Sequence, residues 1–346
     1  MSVIDVQKLL QEVSAADPSG ANLEYDPLYG ELNRIAQGKP EQQVGSTVVP
    51  AEEPNWREVK SKAVQLLGRS KDLRLATHLT KALLRTDGFV GLSEGLDLLR
   101  GLLEKHWETV HPQLDPDDGN DPVIRVNTLT ALCHPETMLK SLRESPLASS
   151  RSSGRASLRD VLIATGKLTP PPDGSPAAPA AGTIDAIFRE ADLESLQATA
   201  DALGQSVRTV DAIESLLMVK VGSKNAADFS ELSNVLKSAH KVLAERLSRR
   251  GVAVQTTGGE PMAESDSPAA AAGPAVSGEI NSRDDAMRAL DRVCEYFLRH
   301  EPSSPVPMLL RRAKRLVSKN FLDIVRDLAP EGLPQVEKIR GEGDDA

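Results

Sequence analysis

Two stretches of the chain are too poor in large apolar residues to form a packed core. Residues 168–182 read LTPPPDGSPAAPAAG and contain five prolines, and residues 251–280 consist mainly of Ala, Gly, Ser and Pro without any aromatic residue. Prolines make the first stretch semi-rigid, whereas small and polar residues make the second one flexible. We therefore predict two linkers that separate three folded segments, at residues 1–167, 183–250 and 281–346.

Apolar residues recur at helical spacing in each of the three segments. In the first segment one stripe begins at Trp56 after the start signals Pro54 and Asn55, a second ends at Gly88, and a third runs on to Trp107. Only short connections separate these predicted helices, so we expect consecutive helices to be antiparallel neighbours. No alternating strand pattern of useful length is present. The predicted fold is all-α, with a helical N-terminal domain, a small helical middle domain and a short helical C-terminal domain.

Composition and charge exclude several classes of protein. The formal net charge is -9 and the pI is about 5.3, so a general attraction to nucleic acid is not expected. No apolar run approaches the roughly 20 residues of a membrane span. The N-terminal residues MSVIDVQKLLQEV have acidic residues and helical periodicity where a signal peptide has a basic start and an apolar stretch. We expect a cytoplasmic protein without direct membrane insertion.

Residues 111–125, HPQLDPDDGNDPVIR, crowd acidic residues around one glycine as a calcium loop does. An EF-hand loop needs glycine at its sixth position and glutamate at its twelfth. Counted from Asp115 those positions hold Asn120 and Val126, and counted from Asp117 they hold Pro122 and Thr128. No register fits, and no histidine or cysteine spacing completes another ligand set. We predict a polar turn, with no metal and no cofactor.

Residues 91–95, GLSEG, match the G-x-S-x-G pattern of a serine hydrolase around Ser93. That pattern works where a strand enters a strained turn and a helix leaves it, which exposes the serine oxygen beside backbone donors. Here the serine lies in a helical pattern with no strand before it. A hydrolase using Ser93 therefore stays only a remote alternative. No catalytic residue is predicted, and what remains points to interaction or assembly.

The strings PNWREV at 54–59 and SKDLRLATHLTKALLRTDGFVGLSEGLDLLRGLLEKHWETVHP at 70–112, with the residues up to Leu132, resemble a known family. They are similar to the ImpA-type N-terminal domain of TssA proteins from bacterial type VI secretion systems. The residues that we assign to this motif and its core are Trp56, Leu75, Gly88, Gly91, Leu92, Trp107, Pro112 and Arg125. The acidic loop then corresponds to the turn that follows the family's W-x-x-x-H-P helix end.

The resemblance implies a cytoplasmic protein that is not an enzyme. It implies a ring-like homo-oligomer, formed through the C-terminal domain, that helps baseplate, tail tube, spike and contractile sheath subunits come together. The segment YFLRHEPSSPVPMLLRRAKRL, near the chain's end, resembles the shorter C-terminal domains of baseplate-associated members. Its partners would be further copies of the chain and those secretion subunits.

The C-terminal segment has more apolar surface than two or three short helices readily hide. A segment of about 60 residues is also marginally stable alone, and oligomerisation is a common remedy. The candidate oligomer-interface residues are Phe297, Leu309, Leu310, Leu316, Phe321 and Ile324. The alternative is that these residues close a three-helix core within one chain. In that case the protein would be a monomeric helical adaptor that binds a partner protein.

Overall fold

The computed structural model of the protein describes residues 2–39, 42–44, 47–49, 52–115, 117, 119–169, 178–222 and 225–252, and the single residues 290, 293, 294, 306, 309, 310 and 314. The chain divides into two compact units, Met1–Pro261 and Met262–Ala346. The helices and strands given below all belong to the first unit. Residues 170–177 of one predicted linker and 253–280 of the other lie outside the described residues.

The first unit is built mainly from helices. The α-helices are α1 (Val6–Leu9), α2 (Pro27–Gln37), α3 (Trp56–Leu67), α4 (Leu73–Lys105), α5 (Val123–Thr130), α6 (Lys140–Glu144), α7 (Leu158–Ala164), α8 (Ala181–Glu190), α9 (Leu193–Val221) and α10 (Ser230–Arg249). A 3-10 turn at Ala131–Cys133 and a π turn at Pro135–Leu139 connect α5 to α6. Side chains of Asp26, Asn55, Asp72 and Asp192 cap the starts of α2, α3, α4 and α9.

Helix α4 is two helical arms that fold back on each other at Gly88. This glycine has φ 68° and ψ −149° in the middle of the helix, a backbone conformation that a residue with a side chain rarely adopts. An uninterrupted helix would keep Thr80 and Gly95 about 22 Å apart. Instead, a Cβ added to Gly95 would lie 2.9 Å from the Cα of Thr80. The sequence prediction of two antiparallel helices that meet at Gly88 is therefore confirmed by the geometry.

Helix α9 lies after the Pro-rich stretch but packs on the N-terminal helices. It contacts α4 on one side and α10 on another. A polar contact joins α9 to α4, because the hydroxyl of Thr209 on α9 donates to a carboxylate oxygen of Asp97 on α4 at 2.9 Å. Buried residues of 1–167 and of 183–250 thus belong to one hydrophobic core. The two ranges pack together, and their description as separate domains stays a prediction.

Two short antiparallel hairpins were missed by the prediction of an all-α chain. Strand β1 (Gln42–Val44) pairs with β2 (Thr47–Val49), and β3 (Pro146–Ser150) pairs with β4 (Gly154–Ser157). Strands of three to five residues are too short to show a convincing alternation of apolar and polar residues. The second hairpin contacts α8, so its pairing depends on a distant part of the chain. The described part of the protein is mainly helical rather than purely so.

No helix within the described residues is long and apolar enough to cross a membrane. Cys133 and Cys294 do not form a disulfide bond. Cys133 is half-buried, and burial raises the pKa of its thiol to about 11. Cys294 is buried. Partial burial and the raised pKa make Cys133 a poor nucleophile.

Candidate functional site

Arg125 braces the turn that follows the second arm of α4. Its side chain is only 1% exposed, and its guanidinium donates to the backbone carbonyls of Trp107, Val110 and Pro112, at 2.7 Å for Val110 and 2.6 Å for Pro112. The same guanidinium stacks on the Trp107 ring, 4.9 Å from its centroid. Burial lowers the pKa of Arg125 to about 10, so it remains charged at neutral pH. This cation holds the shape of residues 107–112.

His111 ties this turn to two other parts of the chain. Its Nε2 atom donates to the carbonyl oxygen of Gly20 at 2.7 Å, and its backbone N–H donates to the carbonyl of Lys71 at 2.9 Å. The peptide bond between His111 and Pro112 is cis. Gly20 has φ 71°, and a Cβ there would lie 2.3 Å from the carbonyl oxygen of Arg69. Only glycine fits at that position.

The corner before α4 also has a buried cation, Lys71, which is 2% exposed. Its ammonium donates to the carbonyl of Leu67, the last residue of α3, at 2.9 Å. Burial lowers the pKa of this ammonium. The next residue, Asp72, is fully buried, caps α4 and forms an ion pair with Arg74 at 2.8 Å. Lys71 itself has no carboxylate partner among the described residues.

The family-motif residues predicted from sequence lie mostly inside the fold. Leu75 and Leu92 are fully buried, and Trp107 is 7% exposed. Gly91 is buried where a Cβ would lie 2.7 Å from the carbonyl oxygen of Leu83, so it permits the close approach of the two arms of α4. Together with Gly88 these residues stabilise the helical unit. They have too little exposed surface to contact a partner directly.

Trp56 differs from the other motif residues because it lies at the surface of a cleft. The cleft has a volume of about 750 Å³ and lies between the Gly88 bend of α4, strand β3 and the start of α9. Trp56 is partly buried, and its indole N–H has no hydrogen-bond partner among the described residues. Glu53 and Arg85, which both line this cleft, form an ion pair. Its lining is acidic overall, because it also includes Asp87, Glu144, Asp160 and Asp192 and only one further base, Arg155.

Ser93 is 7% exposed within the second arm of α4. A helix precedes and follows it, so the strand-to-helix turn of a nucleophile elbow is not formed at this position.

In the acidic loop, the carbonyl and carboxylate of Asp115 accept from the backbone N–H groups of Asn120 and Asp117. The described residues hold no group of three or more His, Cys, Asp or Glu that could bind a metal ion.

The predicted oligomer-interface residues fall in the second unit. Leu309 is 58% exposed and Leu310 is partly buried. Phe297, Leu316, Phe321 and Ile324 lie outside the described residues. Val293, which is 43% exposed, is a further large apolar residue at the surface of this unit.

The sequence prediction missed Gly20, Lys71 and Glu94, whose contacts join distant parts of the chain. Glu94 accepts from the backbone N–H groups of Val3 and Ile4 at 2.8–2.9 Å. The string PSG at 18–20 is a turn pattern that could have indicated Gly20. Nothing in the local sequence distinguishes Lys71 or Glu94 from the other charged residues of this segment.

Three comparisons relate this chain to known proteins. Residues 10–134 match the family model described as ImpA, N-terminal, type VI secretion system. The chain is 43% identical to the type VI secretion system component TssA1 of Pseudomonas aeruginosa PAO1, over 98% of this chain and 99% of that protein. The solved N-terminal domain of the TssA component from Burkholderia cenocepacia, which includes the conserved ImpA_N region, matches with a TM-score of 0.58 and 26% identity. That match covers 73% of this chain and 98% of the solved one.

Proposed function

Because the chain belongs to the TssA family of type VI secretion system components, we propose that it is an assembly scaffold that forms a ring-like homo-oligomer. The chain is a secretion-system component and not an enzyme. The observation that carries the proposal is the 43% identity to TssA1 over 98% of the chain. That similarity extends through the second unit as well as the ImpA-type region.

The two units have different parts in this proposal. The first unit has a continuous core of its own. In this proposal it contacts the other secretion subunits. The second unit, Met262–Ala346, is the oligomerising part. Support comes from Val293 and Leu309, which are 43% and 58% exposed in a single chain. A contiguous exposed apolar patch marks a protein interface, and in this proposal Val293 and Leu309 belong to one such patch.

The proposed partners are further copies of this chain and the baseplate, tail tube, spike and sheath subunits of the secretion system. The proposed location is the cytoplasm, where these subunits would be assembled. Linking several first units to one ring raises the effective concentration of their binding sites, so weak individual contacts can hold several partners at once.

The test is light-scattering molar mass, measured on the full chain and on a chain that ends at Arg250. We expect a large oligomer of defined mass for the full chain, and a monomer or dimer for the shortened one. Leu309→Asp and Phe321→Asp should dissociate the full-length oligomer while the helical circular dichroism signal is retained. The matched control is Leu168→Asp, because Leu168 is 37% exposed in the first unit.

Two results would contradict the proposal that the chain forms a ring-like oligomer. One is a monomeric full chain at micromolar concentration, which would support the adaptor alternative. The other is loss of helical signal in both Leu309→Asp and Phe321→Asp, because the two side chains would then belong to the internal core of the second unit.

A further inference from the structure

A groove runs between the N-terminal segment with α1 and the outer side of α3. It has a volume of about 790 Å³, which lies within the range of ligand-binding clefts. Apolar side chains line part of its surface, among them Val3, Ile4, Leu9 and Val64. We call it the α1–α3 groove. It is distinct from the cleft at Trp56 and from the oligomer-interface residues of the second unit.

Both ends of the α1 wall are fixed to α4. The N–H groups of Val3 and Ile4 donate to the Glu94 carboxylate at 2.8–2.9 Å. At the other end, Nε2 of His106 donates to the carbonyl of Leu10 at 2.9 Å. Leu10 also packs against Gly101, where an added Cβ would meet it at 2.5 Å. The groove is therefore preformed, which reduces the entropy lost when a partner binds.

The charge of the groove is opposite to that of the whole chain. Four cations line it, namely Lys8, Arg57, Lys60 and Lys71, against two acids, Asp5 and Glu12, whereas the chain carries a net charge of -9. Lys60 pairs with Asp87 at 2.7 Å, and the carboxylate of Asp5 is used to cap α1. Lys8, Arg57 and Lys71 have no carboxylate partner among the described residues.

Lys71 is the most informative of these cations. It is 2% exposed and donates to one carbonyl, that of Leu67, although an ammonium has three donors. A buried cation without a counter-charge costs free energy that a nearby carboxylate recovers. A partner that places an acidic side chain at this end of the groove would supply that counter-charge.

The walls also limit the conformation of the partner. None of the residues that line the groove belongs to a β-strand, so the groove offers no strand edge with which an extended peptide could pair. A helix satisfies its own backbone hydrogen bonds and therefore suits such a groove. We propose that the α1–α3 groove docks an amphipathic helix of a partner protein, with an apolar stripe on Val64 and Ile4 and acidic residues toward Arg57, Lys8 and Lys71.

This docking surface does not depend on ring formation, so the two proposals fail separately. The test uses the full-length chain and a fluorescein-labelled helical peptide of about 16 residues, with Leu at i, i+3, i+4 and i+7 spacing and Glu on the flanks. Fluorescence anisotropy should show saturable binding that weakens as salt rises. Arg57→Glu should weaken it by about tenfold or more, because a like charge then faces the peptide.

Matched variants separate the groove from general charge effects. Lys167→Glu changes the net charge equally at an exposed position outside every described cleft, and it should leave affinity within about twofold. Val64→Ala should weaken binding with little change in salt dependence. The proposal would be overturned if the peptide showed no saturable binding. It would also be overturned if Arg57→Glu bound the peptide as tightly as the wild-type chain does, or if a peptide with Lys on its flanks bound as tightly as the Glu-flanked one. If Arg57→Glu altered molar mass instead of peptide affinity, the groove would be an interface between copies and the proposal would be wrong.

Discussion

The turn at 107–112 is contacted by the buried cation Arg125 of α5, and the corner at 67–72 contains the buried cation Lys71, yet the two cations are bound differently. Arg125 donates to three backbone carbonyls and stacks on Trp107. Lys71 is as well buried but donates to a single carbonyl. All three guanidinium nitrogens of Arg125 donate to the fold, which this cation stabilises. Lys71 lies at the wall of the α1–α3 groove with donors that the fold leaves unused.

The largest expected effect follows removal of the cation at the turn. Arg125→Met should lower the free energy of unfolding by roughly 3 kcal/mol or more, because three carbonyls lose their donor and two of those bonds are buried. Urea unfolding followed by tryptophan fluorescence measures this well, since both tryptophans lie in the first unit. Arg151→Met, at an exposed hairpin position, is the control. If Arg125→Met lowered the free energy of unfolding only slightly, the proposed difference between the turn and the corner would be wrong.

The next effect concerns Gly20, which lies against both regions. Gly20→Ala should cost about 2 to 3 kcal/mol, since φ is positive and the new Cβ would meet the Arg69 carbonyl at 2.3 Å. Gly119→Ala is the matched control, because φ there is 65° but no atom lies within 4 Å of the new Cβ. That control should cost about 1 kcal/mol. Equal losses at the two glycines would show that close packing at Gly20 contributes nothing beyond backbone strain.

The smallest effect is expected at Lys71. Lys71→Met should change the free energy of unfolding by about 1 kcal/mol or less, because it removes a poorly paired buried charge together with one hydrogen bond. The comparison between Arg125 and Lys71 would be wrong if Lys71→Met were as damaging as Arg125→Met.

The pH dependence sharpens the same comparison. Burial lowers the pKa of Lys71 below its ordinary value of 10.5, so the unfolded chain binds more protons between the lowered pKa and 10.5. Stability conferred by this group should therefore rise with pH across that window. Urea unfolding of Lys71→Met should lack this part of the rise, and Lys167→Met should keep it. Parallel pH profiles for wild type and Lys71→Met would contradict the inferred burial of the charged group.

Much of the first unit could be predicted from the sequence because helices depend on local spacing. The start of α3 after Asn55, the bend at Gly88 and the two buried stripes of α4, one with Leu79 and the other with Leu92, all follow from residues close together in the chain. The motif string likewise indicated the family, which the relatives establish. Its residues were predicted as motif and core positions, and in the structure Trp107 and Arg125 are buried.

Only the tertiary structure decided how these helices meet. The three carbonyls that Arg125 contacts lie 13 to 18 residues away, and α9 reaches α4 from beyond the Pro-rich stretch. The hairpin at 146–157 and the cation-lined groove also depend on long-range packing. A sequence specifies which residues favour a helix face through short-range backbone and side-chain preferences. Which faces pack together is decided by the joint burial of many distant side chains, and no local pattern records it.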